Sequence, residues 1–173
     1  FIGRKELYKG IGTLFQACQE LWRSSKKKHQ LVLIGPGEAP PSAVQGLDEA
    51  IFDLGQVDHA TKVLALNACD CLVFPSRSES FGIVILEAWA VAKPVVVTRL
   101  QPTQEIVTDN EDGLLFEMGN AAQLAKALDR LAADPDVATH MGQNGQRKFL
   151  ECYTSSVMAE RVQGVYDALV RRK

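Results

Sequence analysis

The segment CLVFPSRSESFGIVILEAWAVAKPVVV, residues 71–97, holds two short apolar runs separated by a turn and a helix-length stretch. The runs at 71–74 and 94–98 are continuous and end in turn residues, which is typical of strands buried on both faces of a parallel sheet. The stretch at 81–91 fits a helix. Because a strand, a helix and a strand in this order favour a right-handed crossover, the segment predicts an α/β fold.

The same alternation extends over most of the chain and predicts a doubly wound, Rossmann-like parallel sheet of about six strands. From 135 to 172 only helical sequence follows, with an interruption predicted at Gly-Gln-Asn-Gly, 142–145, and a helix cap at 154–156. We expect this C-terminal helical extension to pack outside the sheet or against something outside the chain. The other strands are predicted at 1–2, 31–34, 51–54 and 113–116, and the other helices at 12–24, 59–67, 104–108 and 121–133.

The composition is that of an ordinary globular protein. With 173 residues and 46% apolar composition, one domain is expected. The formal net charge of -2 gives no electrostatic sign of nucleic-acid binding, so no nucleic-acid partner is expected. The opening FIGRKELYKG has the pattern of a strand end that enters a loop, so we expect further sequence, or a whole domain, upstream.

The cysteines and the apolar runs bear on the compartment. Cys18, Cys69, Cys71 and Cys152 form neither a CxxC pair nor a zinc pattern with histidines, so we predict buried free thiols in a reducing compartment. No apolar run reaches membrane-spanning length and the N-terminus lacks a signal segment, so we expect a cytoplasmic location. No Asp-x-Asp triplet stands at a strand end, and no metal is expected.

Ligands of such sheets bind beyond the carboxyl ends of the strands, and this selects the loops that follow each strand. In the first loop Arg4 and Lys9 follow Gly3, and both cations can reach one anion; the alternative is that they are ordinary solvated charges. The second loop, GPGEAPP at 35–41, has Pro40 where a dinucleotide-binding fingerprint needs its third glycine, so it predicts at most a tight turn beside the ligand crevice.

The third loop, GQVDHATK at 55–62, combines a turn with the start of a helix. Asp58 is suited to cap that helix, which is the simpler interpretation. The functional interpretation is that backbone and side-chain groups of this segment hydrogen-bond a planar base. The residues alone leave both interpretations open.

The fourth loop and its helix hold two glutamates, Glu79 and Glu87, in an otherwise apolar stretch. Glu87 has two acceptor oxygens that can hold a vicinal diol such as a ribose. The alternative is an ion pair with Lys93 or Arg77, because a buried unpaired carboxylate is expensive. Glu79 is expected at the reacting end of the same ligand. The helix N-terminus, whose free N–H groups attract an anion, is predicted at Ser80, Phe81, Gly82 and Ile83.

These motifs, taken in order, resemble the C-terminal, donor-binding half of the retaining glycosyltransferases with the two-domain GT-B fold, of the glycosyltransferase family 4 or group 1 type. The resemblance implies one domain over residues 1–173 that binds a UDP- or GDP-hexose for retaining transfer to a glycan, lipid-linked or small-molecule acceptor, without a metal cofactor. The matching segments are FIGR...YKG, LVLIGPGE, LGQVDHATKVLALNACDCLVFPS, ESFGIVILEAWAVAKPVVVT and EIVTDNEDGLLF.

The resemblance also implies a role for each site residue. Arg4 and Lys9 resemble the basic pair that holds the donor diphosphate, and Glu79 resembles the residue that contacts the transferring sugar; these three are the implied catalytic residues. Glu87 is similar to the residue that binds the ribose hydroxyls. The remaining donor-binding residues are Gly3 beside the ligand, Val57 and Lys62 at the base, and Ser80, Phe81, Gly82 and Ile83 at the phosphates and sugar.

Two features limit what the resemblance implies. Arg99-Leu100-Gln101-Pro102 stands where many relatives have a Gly-Gly pair near the donor sugar, so the sugar identity stays open. The acceptor-binding half, which often supplies a catalytic histidine, is expected outside this chain, and any peripheral membrane association is expected through that half. The alternatives are a non-catalytic nucleotide-sugar binding or regulatory module and an ordinary flavodoxin-like or dinucleotide-binding domain.

Overall fold

The computed structural model describes residues 1–25, 27–38 and 50–170. Within these ranges strands and helices alternate as the apolar runs predict, and five strands and seven α-helices are present. The strands are β1 (Leu31–Leu33), β2 (Ile51–Asp53), β3 (Leu72–Phe74), β4 (Val95–Thr98) and β5 (Gly113–Phe116). The helices are α1 (Ile11–Ser24), α2 (His59–Ala68), α3 (Ile83–Ala90), α4 (Gln101–Ile106), α5 (Ala121–Ala133), α6 (Pro135–Cys152) and α7 (Ser155–Val170).

All strand pairs are parallel, which confirms the predicted α/β architecture. β1 pairs with β2, and β4 lies between β3 and β5 with Val96 opposite Val73 and Leu114. The predicted strand at 1–2 is reduced to a parallel bridge between Ile2 and Ile34. The five described strands thus form a two-stranded sheet, β1–β2, and a three-stranded sheet, β3–β4–β5, where a sheet of about six strands was predicted.

Helices cover both faces of the three-stranded sheet. Val96 packs in one apolar cluster with residues of α1 and α5, whereas Val95 and Val97 pack in a second cluster with residues of α3 and α4. Because successive side chains of a strand point to opposite faces, β4 contributes to both clusters, and all three valines are fully buried. The continuous apolar runs of the sequence follow from this double burial.

Two helices begin two or three residues away from their predicted positions. α3 begins at Ile83 instead of residue 81, because Gly82 has a left-handed backbone (φ 86°) and ends the preceding turn. α4 begins at Gln101 instead of residue 104, with Pro102 in its first turn, where the missing N–H is harmless. Thr103 Oγ1 accepts a hydrogen bond from the Leu100 N–H (2.9 Å) and fixes this start.

The predicted interruption at 142–145 is wrong, because α6 continues through it. A Cβ atom on Gly142 would lie 2.0 Å from the Ala92 carbonyl oxygen, and one on Gly145 would lie 2.2 Å from Trp89 Cδ1. The two glycines therefore let α6 lie directly against α3 and the turn that follows it. The predicted cap at 154–156 is confirmed, since the Val157 N–H donates to Thr154 Oγ1 (3.4 Å) and α7 begins at Ser155.

The last helix, α7, extends outward from this body, and none of its residues is buried. Met158, Val162, Val165, Tyr166 and Leu169 are at least half exposed. Their spacing places them along one side of the helix. No helix in the described ranges combines the length and apolar character that spanning a bilayer requires.

The cysteines are free thiols. Burial raises the pKa of the Cys18 thiol to about 12. Burial likewise raises the pKa of Cys71 to about 12 and that of Cys69 above its ordinary value. Since the thiolate is the reactive form, these three groups are poor nucleophiles in the folded protein.

Asp58 caps α2, as one of the two interpretations predicted. Its Oδ1 accepts a hydrogen bond from the Thr61 N–H (2.7 Å). That hydrogen bond to the charged form holds the pKa of Asp58 below its ordinary value of 3.8. A carboxyl whose pKa is depressed by folding stabilises the protein above its unfolded-state pKa and loses this contribution as the pH falls through the folded value.

We expect Gly145→Ala to destabilise the protein by about 1–3 kcal/mol, because the new methyl group overlaps the buried Trp89 ring and forces α6 away from α3. Gly164→Ala is the matched control, since it lies within α7 with no atom within 4 Å of the added Cβ. The control should gain about 0.5–1 kcal/mol from helix propensity. Urea unfolding measures both, and equal effects would contradict the packing assigned to Gly145.

We expect Asp58→Ala to lower the urea midpoint at pH 7, because α2 loses its N-terminal hydrogen-bond acceptor. Asp58→Asn keeps an acceptor oxygen but loses the charge, so its midpoint should lie between those of the parent chain and Asp58→Ala. The difference in midpoint between the parent chain and the Asp58→Ala variant should shrink as the pH is lowered below 3.8. A difference that is independent of pH would show that the carboxylate charge contributes nothing to the cap.

Candidate functional site

The loops that follow the strands, where ligands of parallel sheets bind, meet at the carboxyl edge of the strands. The Arg77 N–H donates to the Tyr8 carbonyl (2.8 Å) and joins the first loop to the fourth, and the Gly35 N–H donates to the Gly55 carbonyl (2.7 Å) and joins the second to the third. Gly10 permits the closest approach. It has φ 72°, and a Cβ there would lie 1.8 Å from the Pro75 carbonyl oxygen. Loops distant in sequence thus form one continuous surface.

Lys9, in the first loop, and Glu79, in the fourth, form an ion pair. Their side chains are 18% and 11% exposed, so the pair is largely removed from water. The Ser76 hydroxyl, itself buried, lies 2.9 Å from the same Glu79 oxygen, and the Lys9 ammonium lies 5.8 Å from the centre of the Phe74 ring. The structure therefore places two of the predicted catalytic residues in direct contact.

Glu87 forms the second ion pair. Its Oε1 accepts a hydrogen bond from Lys62 Nζ (2.6 Å), with the two side chains 28% and 24% exposed. The partner is thus Lys62 and neither Lys93 nor Arg77, the two residues weighed from the sequence. The contact joins the third loop and α2 to the second turn of α3, and it brings together two of the predicted donor-binding residues.

The N-terminus of α3 is open towards this surface. The N–H groups of Phe81, Gly82 and Ile83 have no hydrogen-bond acceptor within the described part of the chain, and no side chain caps the helix. Ser80 is exposed in the turn just before them, and Phe81 and Ile83 are exposed at its rim. Free N–H groups at the positive end of the helix dipole favour an anion here.

A cleft of about 400 Å³ lies between the first three loops. Four predicted site residues, Gly3, Arg4, Val57 and Lys62, line it. The Arg4 side chain is 64% exposed, and its one ion pair in the described ranges is a 3.9 Å contact with Glu6, so its guanidinium can turn towards a ligand. The other lining residues are Ile2, Ile34, Gly35, Pro36, Gln56, Asp58 and His59.

A larger cavity, about 750 Å³, lies at the opposite edge of the sheet, where the strands begin. Leu31, Leu72 and Pro94 line it together with Cys18 and Cys71. It contains none of the predicted site residues. The larger cavity and the predicted site residues therefore lie at opposite edges. The smaller cleft is the candidate site, because charged groups surround it and because ligands of parallel sheets bind at the carboxyl edge.

The loop after β4 is anchored by charge. Arg99 pairs with Asp109 (2.8 Å) and with Glu117 (3.0 Å), so its guanidinium is held by acidic residues on either side of β5. Thr98, at the end of β4, is buried, and its Oγ1 has no partner among the described residues. The loop at 99–102, which lacks the Gly-Gly pair of many relatives, is thus held in place by two ion pairs.

Two residues of the site were not identified from the sequence. Ser76 stands three residues before Glu79, and a hydroxyl at that spacing from a carboxylate is a recognisable pattern. Lys5 lies between the predicted cations Arg4 and Lys9, and its side chain is almost completely buried. Nothing in the sequence separates it from its exposed neighbours. In the described ranges no group of three or more His, Cys, Asp or Glu side chains is arranged to hold a metal ion.

Comparison with known proteins assigns a family. The model of the family described as "Glycosyl transferases group 1" matches residues 1–148. The phosphatidyl-myo-inositol mannosyltransferase of Mycobacterium leprae is 34% identical over an alignment of 173 positions that covers 98% of this chain and 46% of that protein. This chain therefore spans about half the length of that relative.

Solved structures agree with this assignment. Sucrose-phosphate synthase from Thermosynechococcus elongatus superimposes with a TM-score of 0.85 at 30% identity, covering 99% of this chain and 45% of that one. Anabaena HepE, solved in complex with UDP, superimposes with a TM-score of 0.85 at 20% identity over 96% of this chain and 47% of that one, and this likeness concerns the fold alone. The chain belongs to the group 1 glycosyltransferases and has the fold of a GT-B domain.

Proposed function

We propose that this chain is the donor-binding domain of a retaining hexosyltransferase and that its ligand is a UDP- or GDP-hexose. The observation that carries the proposal is the pairing of each glutamate with a lysine, Lys9 with Glu79 and Lys62 with Glu87, on either side of the open N-terminus of α3. Two cations, free amides and two carboxylates match a diphosphate flanked by two hydroxylated rings.

The proposed ligand lies across the carboxyl edge. The base occupies the cleft beside Val57 and Lys62, where Gly3 lets the backbone approach. Glu87 holds the ribose hydroxyls, and Arg4 and Lys9 hold the diphosphate. The amides of Phe81, Gly82 and Ile83, following the turn at Ser80, meet the phosphates and the sugar, and Glu79 contacts the sugar at its reacting end.

The ion pairs affect how such a ligand binds. Lys9 is already in contact with Glu79, so an arriving diphosphate competes with a carboxylate for the same ammonium group. The partial exposure of Lys9 leaves room for a second anion. A lysine between Glu79 and the diphosphate would then bridge the sugar-binding carboxylate and the leaving group. Lys62 is likewise in contact with Glu87 and lies between that residue and the cleft, so an arriving ligand competes with the carboxylate for its ammonium group.

The proposed chemistry is transfer with retention at the anomeric carbon. The bond between that carbon and the diphosphate oxygen breaks, and the diphosphate keeps the electron pair. The acceptor hydroxyl oxygen forms the new bond on the same face, and its proton passes to the departing diphosphate. Negative charge grows on the leaving group, so Arg4, Lys9 and the α3 amides stabilise the transition state more than the ground state.

The acceptor is proposed to be bound by another half of the protein. This chain spans 46% of the mannosyltransferase relative, whose name specifies a phosphatidylinositol substrate. We propose that the present domain binds the donor and turns over poorly alone. A lipid-linked acceptor would bring the protein to the cytoplasmic face of a membrane through the acceptor-binding half, and a glycan or small-molecule acceptor would not.

Calorimetry with UDP, GDP and ADP tests the donor proposal. We expect one of the first two to bind more tightly than ADP. We expect Lys9→Ala and Glu87→Ala to weaken its binding by about 1.5–3 kcal/mol each, the scale of a hydrogen bond to a charged group. Arg4→Ala should act in the same direction, with a smaller loss because its side chain is largely exposed.

Lys126→Ala and Glu160→Ala are the matched controls for these variants. Both residues are exposed, on α5 and α7 respectively, and neither lines the 400 Å³ cleft. They should bind nucleotide like the parent chain. Absence of nucleotide binding by the parent chain would overturn the donor proposal. Binding that none of the three site variants changes would instead show that the nucleotide lies elsewhere.

A further inference from the structure

We infer that Lys5 is a positioning residue for the nucleotide, acting through the loops that enclose the base cleft and never touching the ligand. The inference rests on the proposed donor function and adds to it a residue that the family resemblance does not assign. Lys5 lies between Arg4 and Lys9, and the structure separates it sharply from both. Its side chain is 1% exposed, compared with 64% for Arg4.

The ammonium group of Lys5 has a full set of acceptors. Its Nζ lies 2.6 Å from the Gly35 carbonyl oxygen, 2.8 Å from the Gly37 carbonyl oxygen and 2.9 Å from Asp53 Oδ1. A lysine has three N–H donors, and these three acceptors use all of them. Lys5 therefore has no donor left for a diphosphate, unlike its neighbour Arg4.

The acceptors of Lys5 are linked to one another. Asp53 Oδ1 also accepts from the Gly55 N–H (2.9 Å), and the Gly55 carbonyl accepts from the Gly35 N–H (2.7 Å). The Gly35 carbonyl in turn accepts from Lys5, so the hydrogen bonds form a closed ring through Lys5, Asp53, Gly55 and Gly35. We call these four residues the Lys5 ring. The Lys5 backbone N–H adds a bond to the Pro36 carbonyl (3.0 Å).

The Lys5 ring joins the walls of the 400 Å³ cleft. Gly3 and Arg4 precede Lys5, Gly35 is itself a ring member, and Gln56 to His59 follow Gly55. Lys5 and Asp53 do not line the cleft themselves. Gly35 adds a steric constraint, because it has φ 126° and a Cβ there would lie 2.2 Å from the Gly3 carbonyl oxygen. The ring thus fixes the spacing of the three loops and leaves their cleft-facing groups for the ligand.

Burying an ammonium group carries a large desolvation penalty, and a well-packed apolar side chain of similar size often gives the same stability. Its charge is offset here by a single carboxylate, Asp53, which is itself partly exposed. The benefit that remains is geometric: loops held in the ligand-binding arrangement before the ligand arrives bind it without the entropy loss of ordering them. Loss of this charge should therefore lower the affinity for the ligand more than it lowers the free energy of unfolding.

The test compares Lys5→Met with the parent chain and with Lys126→Met, an exposed lysine on α5 that serves as the control. Calorimetry with UDP, UMP, GDP and GMP measures affinity, and urea unfolding measures stability. We expect Lys5→Met to bind the preferred nucleoside diphosphate about tenfold more weakly, because the cleft is no longer preorganised. The loss should be equal for the monophosphate and the diphosphate, since the defect lies on the base side.

Amide hydrogen exchange of the unliganded chain provides a second readout. Lys5→Met should speed exchange at the Gly35 and Gly55 amides, whose acceptors belong to the Lys5 ring. Asp53→Asn keeps the two carbonyl contacts of Lys5 and should give a smaller change in the same direction. Asp53→Asn also replaces Lys5→Met as the test variant if Lys5→Met fails to fold. Because the two residues act through one ring, the losses of the double variant should not add.

The outcomes separate the inference from the proposed function. A parent chain that binds none of the four nucleotides overturns the donor proposal and the role of Lys5 with it. A parent chain that binds, with affinity unchanged in both ring variants, overturns the inference alone. A loss confined to the diphosphates also overturns it, because this would make Lys5 part of the diphosphate site.

Discussion

The architecture depends on parallel pairing between strands, of which β3 and β4 are buried on both faces. β4 lies between β3 and β5, and its three valines are inaccessible to water, with Val96 in one apolar cluster and Val95 and Val97 in the other. Strands so enclosed can carry almost no polar side chains. The charged groups are therefore displaced to the loops, and at the carboxyl edge segments distant in sequence bring them together.

At that edge the charges are held in pairs of graded accessibility. Lys5 is sealed between two carbonyls and Asp53, Lys9 and Glu79 are partly buried, and Lys62 and Glu87 are about one-quarter exposed. A sealed pair can only fix geometry, whereas a partly exposed pair can exchange a partner for a ligand group. We therefore propose that the candidate site divides into a fixed frame around Lys5 and two exchangeable pairs on either side of the α3 N-terminus.

Features that depend on local sequence pattern were predictable from the sequence. Continuous apolar runs located every described strand within about one residue, and the spacing of Glu79 and Glu87 across a helix start selected the candidate site. What failed depends on contacts between distant residues. Gly142 and Gly145 lie within a helix because Ala92 and Trp89 leave no room for a side chain, and no local pattern shows this. The acceptors of Lys5 are backbone carbonyls, which every residue has, so their convergence on one lysine is invisible in the sequence.

We propose that the carboxyl edge, and no other surface, binds a nucleoside diphosphate. Amide chemical-shift mapping of the isotopically labelled chain, titrated with UDP and then GDP, shows which residues respond to the ligand. We expect saturable shifts for one of the two nucleotides, concentrated at Gly3 and Arg4, at residues 56–62 and at the free amides of Phe81, Gly82 and Ile83. Shifts centred on the 750 Å³ cavity at the opposite edge of the sheet, or no saturable shifts with either nucleotide, would contradict it.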